Sequence, residues 1–306
     1  MNAARTWTRI VVGVTPDEHT LPAVRRAYEL ASPLGAGVRL VHALEIPTLW
    51  GGISEEERAE RYPQYIGSAR ESILDLLSGA DGVPGGRVEE DLQVIPGHPS
   101  QVLLKEGAAH DADLLVLGPH EKRGIIDFGS TARAVLSKTP IPVWTQAHPV
   151  EKVQRILAPI DFSESSDESV GCAVDLARRF GAKLAIFHCY PPPALAYTGD
   201  PGSPIPSYVV DQEREQSRET LERFVSEGSW DDLAVETVFR TGEVVTEILA
   251  EAREHDLLVL GTHGRTGLSR FLLGSIAYGT LRRSEKPVLV VPSERTSWLL
   301  EVAASA

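Results

Sequence analysis

Asp256-Leu-Leu-Val-Leu-Gly261 decides the reading of this chain, because the same six residues stand earlier as Asp113-Leu-Leu-Val-Leu-Gly118. Four apolar residues in a row, without alternation, mark a strand buried on both faces, as in parallel sheets covered by helices. Working outward, the rest of the chain repeats as well. Ile10-Val-Val-Gly-Val14 answers to Ile156-Leu-Ala-Pro-Ile160, and Val38-Arg-Leu-Val-His42 to Lys183-Leu-Ala-Ile-Phe-His188, both at an offset of 146 residues. The halves close on Pro140-Ile-Pro-Val-Trp144 and Lys286-Pro-Val-Leu-Val-Val-Pro292. After each first strand comes an amphipathic stretch that ends in a glycine, 21–34 before Gly35 and 169–180 before Gly181, and both glycines read as helix C-caps. Further helical patterns cover 68–77, 100–109 and 131–137, then 211–227, 244–254 and 275–284. Strands alternating with helices predict an α/β protein of two tandem doubly wound domains, each with a five-stranded parallel sheet. The expected boundaries are 1–147 and 153–293, with a short linker at 146–152 and a C-terminal tail at 294–306.

Composition narrows the function. The chain has 306 residues, 42% hydrophobic and 24% charged, and no apolar run approaches the roughly 20 residues of a membrane helix, so no membrane role is expected. The polar start and the short run Ile10 to Val14 do not make a signal peptide, and the cytoplasm is the expected compartment. Cys172 and Cys189 lack disulfide or metal-ligand spacing and read as packed apolar residues. His42 and His188 lie on apolar strands with no ligand-spaced partner, so they read as satisfied core histidines, and no metal is expected. The net charge is −13. Both halves are acidic, with 14 bases against 19 acids up to residue 150 and 16 against 24 beyond, which argues against a nucleic-acid partner. The alternating charges at 211–227 are a solvated helix face. The segment Pro191 to Pro206, with Pro191-Pro-Pro193 at its start, is either a surface loop or a lid over a ligand.

In open α/β sheets ligands bind beyond the carboxyl ends of the strands, where the strand order reverses. The richest strand end is Gly261-Thr-His-Gly-Arg-Thr-Gly-Leu-Ser-Arg-Phe-Leu-Leu-Gly-Ser-Ile-Ala277. Gly261 and Gly264, without a Cβ, permit a sharp turn and a close ligand. Gly274 and Ser275 open a helix whose amide N–H groups and dipole suit a phosphate, with the Ser275 hydroxyl as N-cap or phosphate donor. No lysine follows in the Walker position, and the spacing is not GxGxxG.

This spacing, G-x-x-G, nine residues, G-S, resembles the ATP-binding signature of the universal stress protein family, in its tandem form with two domains per chain. The resemblance runs from about Thr8 to Pro292. It implies ATP, with or without Mg, held by the backbone at Leu260, Gly261, Gly264, Gly274, Ser275 and Ile276. It further implies that Asp161, at the end of the first strand of the second half, contacts the adenosine part and that Cys189 walls the adenine. Arg265 falls near the phosphates or points to solvent. Asp161 has an alternative role, as a cap for the helix that follows it.

The first half departs from the pattern. Its segment is Gly118-Pro-His-Glu-Lys-Arg-Gly-Ile-Ile-Asp-Phe-Gly-Ser130, in which Glu121 replaces the second glycine and seven residues, not nine, precede Gly129. A carboxylate repels a triphosphate. Thr15 stands where Asp161 does, with Asp17 close by. The first half is therefore expected to bind ATP weakly or not at all, although Gly129-Ser130 could hold a smaller anion. No nucleophile elbow, HExxH or acid/base carboxylate pair is present, nor HIGH or SGGxDS as in related superfamilies with adenylation or α-hydrolase chemistry. The expected function is nucleotide-dependent regulation in stress survival, with at most slow ATP hydrolysis. A scaffold without nucleotide is the alternative. The last strands are expected to pair with each other inside one chain or across a homodimer.

Overall fold

The structure, a computed structural model, describes residues 7–45, 55–122, 125–127, 129–146, 148–150, 152–192, 206–230, 232–262 and 273–292. In the first half, β1 (Arg9–Gly13), α1 (Leu21–Ala31), β2 (Gly37–Leu44), α2 (Glu55–Ser78), α3 (Gly85–Asp91), β3 (Leu92–Pro96), α4 (Pro99–Ala109) and β4 (Leu114–Leu117) follow one another. A hairpin of β5 (His120–Lys122) and β6 (Ile125–Asp127) comes next, then α5 (Ser130–Leu136) and β7 (Val143–Thr145). The second half has β8 (Arg155–Pro159), α6 (Glu164–Phe180), β9 (Lys183–Tyr190), α7 (Ser207–Glu227), β10 (Val235–Thr241), α8 (Val244–Ala252), β11 (Leu257–Gly261), α9 (Ser275–Arg283) and β12 (Val288–Val291). Gly35 and Gly181 end their helical segments at φ 61° and 62°, the left-handed geometry a C-cap glycine supplies.

Ten strands form one sheet in the order β10-β9-β8-β11-β12-β7-β4-β1-β2-β3. Within each half the five strands are parallel. The halves meet where β12 and β7 run antiparallel, with Leu289 opposite Trp144. Counted within its half, the order of each is 3-2-1-4-5, so each has one switch point, β8 beside β11 and β1 beside β4. Because the two halves run in opposite directions, these switch points open on opposite edges of the sheet.

The doubled hexapeptide is explained by two cores. Leu257 and Val259 face one cluster and Leu258 and Leu260 the other, as do Leu114 and Val116 against Leu115 and Leu117. Residues of α1, α2, α3, α6 and α7 cover the first face, and those of α4, α5, α8 and α9 the second. Each cluster draws on both halves, so burial continues across the seam. Polar contacts also cross it. Arg179 of α6 donates to the Leu30 carbonyl and the Arg133 guanidinium lies 5.1 Å from the Tyr278 ring centre, while Arg26 of α1 donates to the Val150 carbonyl of the linker. Among the described residues no helix is long and apolar enough to cross a membrane.

Candidate functional site

The switch point of the second half brings together the ends of β8 and β11 and the start of α9. Gly261 closes β11 against α6 so tightly that a Cβ there would lie 2.4 Å from Ser165 Oγ and 2.9 Å from the Ser165 carbonyl oxygen. Only glycine fits such an approach. Ser165 is buried, and its hydroxyl has no hydrogen-bond partner among the described residues. A buried hydroxyl left in this way costs free energy unless something else satisfies it.

The chain then returns to its starting place. The Gly274 amide donates to the Thr262 carbonyl at 2.8 Å, so the helix start is tied to the strand end. His263, Gly264 and Arg265 lie outside the described residues, as do residues 193–205 and the tail from 293. Gly274 itself is the N-cap of α9, with no side chain capping the helix. Ser275 is therefore the first helical residue rather than the cap, which corrects one of the two roles expected of its hydroxyl. The first amide N–H groups of an α-helix have no intrahelical acceptors, and α9 presents those of Ser275 and Ile276 at this edge beside the positive end of its dipole. Ser275 and Ile276 are exposed, whereas Leu260 is buried and has only its backbone to offer.

On the other side of the crevice, Asp161 follows β8. Its Oδ1 accepts from the Ser163 amide at 3.1 Å, from the Ser163 hydroxyl, and from the Ser166 hydroxyl at 2.8 Å. Ser166 Oγ also accepts the Asp161 amide at 3.0 Å. Asp161 therefore does not cap α6, whose N-cap is Ser163 with no side chain capping the helix; its bonds instead close a turn that holds the carboxylate at the strand end. Phe162 between them has φ 63°, a left-handed conformation that costs a residue with a Cβ about 1–2 kcal/mol. Its ring packs on His188, centroids 4.4 Å apart, and on Phe224 at 6.3 Å. Nothing in the apolar patterning marked Phe162. The signal available was the proline that stands in its place in the other half.

The histidines anchor the strands. His188 Nδ1 bonds the Ile160 carbonyl at 2.8 Å and Nε2 the Ser217 hydroxyl at 2.8 Å, and His42 Nδ1 bonds the Val14 carbonyl at 2.9 Å. Cys189 is buried at the end of β9, with Sγ 3.6 Å from the Gly242 carbonyl. Burial, with Glu247 nearby, pushes its thiol from 9.0 up to about 11. A thiol whose folded value is raised favours the folded state fully below pH 9, and that contribution is lost as pH rises through 11. Cys189 therefore stays a buried neutral thiol at neutral pH, with little of the reactive thiolate. Iodoacetamide at pH 8 is expected to label it at least about ten-fold more slowly in the folded chain than in urea. Equal rates would show that the thiol is open.

The first half uses the same frame with other residues. The Thr15 amide donates to Thr20 Oγ1 at 3.4 Å, as Asp161 does to Ser166. Its carboxylate comes two residues later, where Asp17 Oδ1 accepts the His19 amide at 3.1 Å. Gly118 sits against α1 less tightly than Gly261 against α6, with the nearest atom, the His19 carbonyl oxygen, 3.3 Å from a Cβ position. Where the second half has its glycine-rich segment, the first half has the β5–β6 hairpin, pairing Glu121 with Ile126.

Comparison with known proteins bears on the fold and the family. The model of the universal stress protein family matches residues 6–145 and again 152–292. A universal stress protein of Mycobacterium tuberculosis is 26% identical over 254 residues, 80% of each chain. One from Methanocaldococcus jannaschii is 30% identical over 140 residues, 45% of this chain and 81% of its own. The crystal structure of a universal stress protein from Archaeoglobus fulgidus covers 93% of this chain and 96% of its own, at 17% identity with a TM-score of 0.62, a likeness of fold.

Proposed function

The chain belongs to the universal stress protein family, as a tandem of two such domains, and we propose that it is an ATP-binding regulatory protein with one working site, at the switch point of the second half. Three features support this reading. Gly261 seats the end of β11 directly on α6; the start of α9 is tied back to the strand end; and a carboxylate stands at the end of the neighbouring strand β8. The observation that carries it is the Gly274–Thr262 hydrogen bond, because it joins the end of β11, where the glycine motif opens, to the start of α9, where it closes.

The chemistry divides by charge. The amides of Ser275 and Ile276 and the α9 dipole suit phosphate oxygens. Asp161 accepts hydrogen bonds, so it suits ribose hydroxyls or an amino group and not phosphate. Buried Cys189 offers an apolar wall to a base. The orphaned Ser165 hydroxyl is the local sign that something beyond the described residues is wanted at this strand end. A magnesium ion would enter with the phosphates. No residue is assigned to activating a water, so hydrolysis is expected to be slow and occupancy, rather than turnover, to be the signal.

The first half is proposed to bind ATP weakly or not at all. The β5–β6 hairpin in place of the glycine-rich loop, with Glu121 on it, supports this. Titration calorimetry on the wild type and on Gly264→Glu, which copies Glu121 into the second half, tests the proposal. The wild type is expected to bind ATP and the variant to lose at least about ten-fold in affinity, the effect of one close like charge of roughly 1.4 kcal/mol. Equal affinities would remove the second-half site from consideration.

A further inference from the structure

The two halves share a strand-end frame, yet only one of them carries a carboxylate at its switch point. The frame bond from the residue after the strand to the helix hydroxyl is present in both, Thr15 to Thr20 and Asp161 to Ser166. Between these partners sits a pivot residue, Pro16 in the first half and Phe162 in the second. Phe162 is left-handed at φ 63°. Proline cannot take that conformation, since its ring holds φ near −65°. With Pro16 at the pivot that turn is closed to the chain, and the carboxylate stands instead on Asp17, the counterpart of Ser163, where it accepts the His19 amide. With Phe162 the chain turns back, and Asp161 takes the Ser163 amide and the Ser166 hydroxyl without leaving the strand end.

We propose that Phe162 is the positioning residue that equips the second half for nucleotide, its left-handed backbone setting Asp161 at the strand end while its ring, seated on His188 and Phe224, holds the turn. This rests on the reading of the second half as the nucleotide site. A residue of that geometry is uncommon without glycine, and an unfavourable pivot persists only where its surroundings enforce it. Here His188 is itself fixed at both ring nitrogens, by the Ile160 carbonyl and by Ser217. The aromatic contact is therefore with a rigid platform rather than with a movable side chain.

The pivot is tested with Phe162→Gly, which keeps access to the left-handed region, and Phe162→Pro, which copies the first half and forbids it. In ATP titrations the glycine variant is expected to stay within about three-fold of wild type, and the proline variant to lose about ten- to thirty-fold. Equal losses in both would assign the effect to the ring and overturn the backbone role. No loss in either would overturn it as well. Amide hydrogen exchange at Ser163 separates this inference from the functional reading, because it needs no nucleotide. If wild type binds no ATP, the functional reading fails, and slow exchange in wild type and Phe162→Gly with fast exchange in Phe162→Pro still supports the pivot, whereas uniform exchange refutes it. Should the proline variant fail to fold, Phe162→Val takes its place, since a β-branched residue resists the left-handed region.

Discussion

Trp144→Ala is expected to destabilise the whole chain by about 3–5 kcal/mol, the cost of truncating a large buried aromatic side chain. Trp144 is fully buried on β7, which pairs with β4 on one side and with β12 on the other. It is thus the residue at which the two sheets become one. Its indole meets Trp7 edge to face at 6.3 Å, lies 5.7 Å from the Arg26 guanidinium, and donates from Nε1 to Gln146 Oε1 at 2.8 Å. Alanine would leave a cavity there and strand the Gln146 acceptor. Thermal unfolding followed by circular dichroism should record a fall of roughly 10 °C. Trp144→Phe keeps most of the apolar area and should cost only about 1–2 kcal/mol, chiefly the lost hydrogen bond. A midpoint within about 2 °C of wild type for the alanine variant would mean that the seam is not a shared core, contrary to the burial seen on both faces.

Gly261→Val carries the second large effect, and it falls on stability and binding together. The new Cβ would stand 2.9 Å from the Ser165 carbonyl oxygen, a backbone atom in the first turn of α6 that cannot rotate away. Either α6 retreats from the sheet or the end of β11 bends out, and such overpacking costs about 1–3 kcal/mol. Both movements open the crevice between Asp161 and α9, so ATP affinity should drop beyond detection in calorimetry while the fold persists. The first half supplies an internal control. A Cβ at Gly118 would meet its nearest neighbour at 3.3 Å, so Gly118→Ala should be milder and leave ATP binding unchanged. Unaltered affinity in Gly261→Val would show that the ligand does not approach this backbone.

The parts of the fold that were legible in the sequence are those with uniform surroundings. Leu114–Leu117 and Leu257–Gly261 feed alternate side chains into two cores, so every position had to be apolar and the run announced itself. The third strand of each half carries no such signal. Leu92–Pro96 and Val235–Thr241 are the outermost strands of the sheet, and their mixed, half-exposed side chains make no apolar run. The helical pattern is legible over 68–77, whereas α2 begins at Glu55 and contains Pro63, a residue that runs against helix patterning. Helix α3, opening on Gly85 and Gly86, runs against propensity and went unread. The hairpin of the first half shows in the sequence only as a shortened loop.

At the candidate site, the glycines carried information because each has a steric task, and Gly261 is the clearest case. Asp161 is legible as a ligand contact only through the resemblance to the family, by its place after the first strand of the second half. What escaped was how it is held, because a left-handed Phe162 breaks the local rule for its residue type and is enforced by His188 and Phe224 from distant parts of the chain. Contacts of that separation leave no periodic trace in sequence.

Native mass spectrometry of the wild-type chain titrated with ATP would count the nucleotides bound. One ATP per chain at saturation is the expected result, with the second half occupied and the first half empty. Two per chain would contradict the assignment of a single site, and none would leave the glycine spacing as a mark of the fold alone.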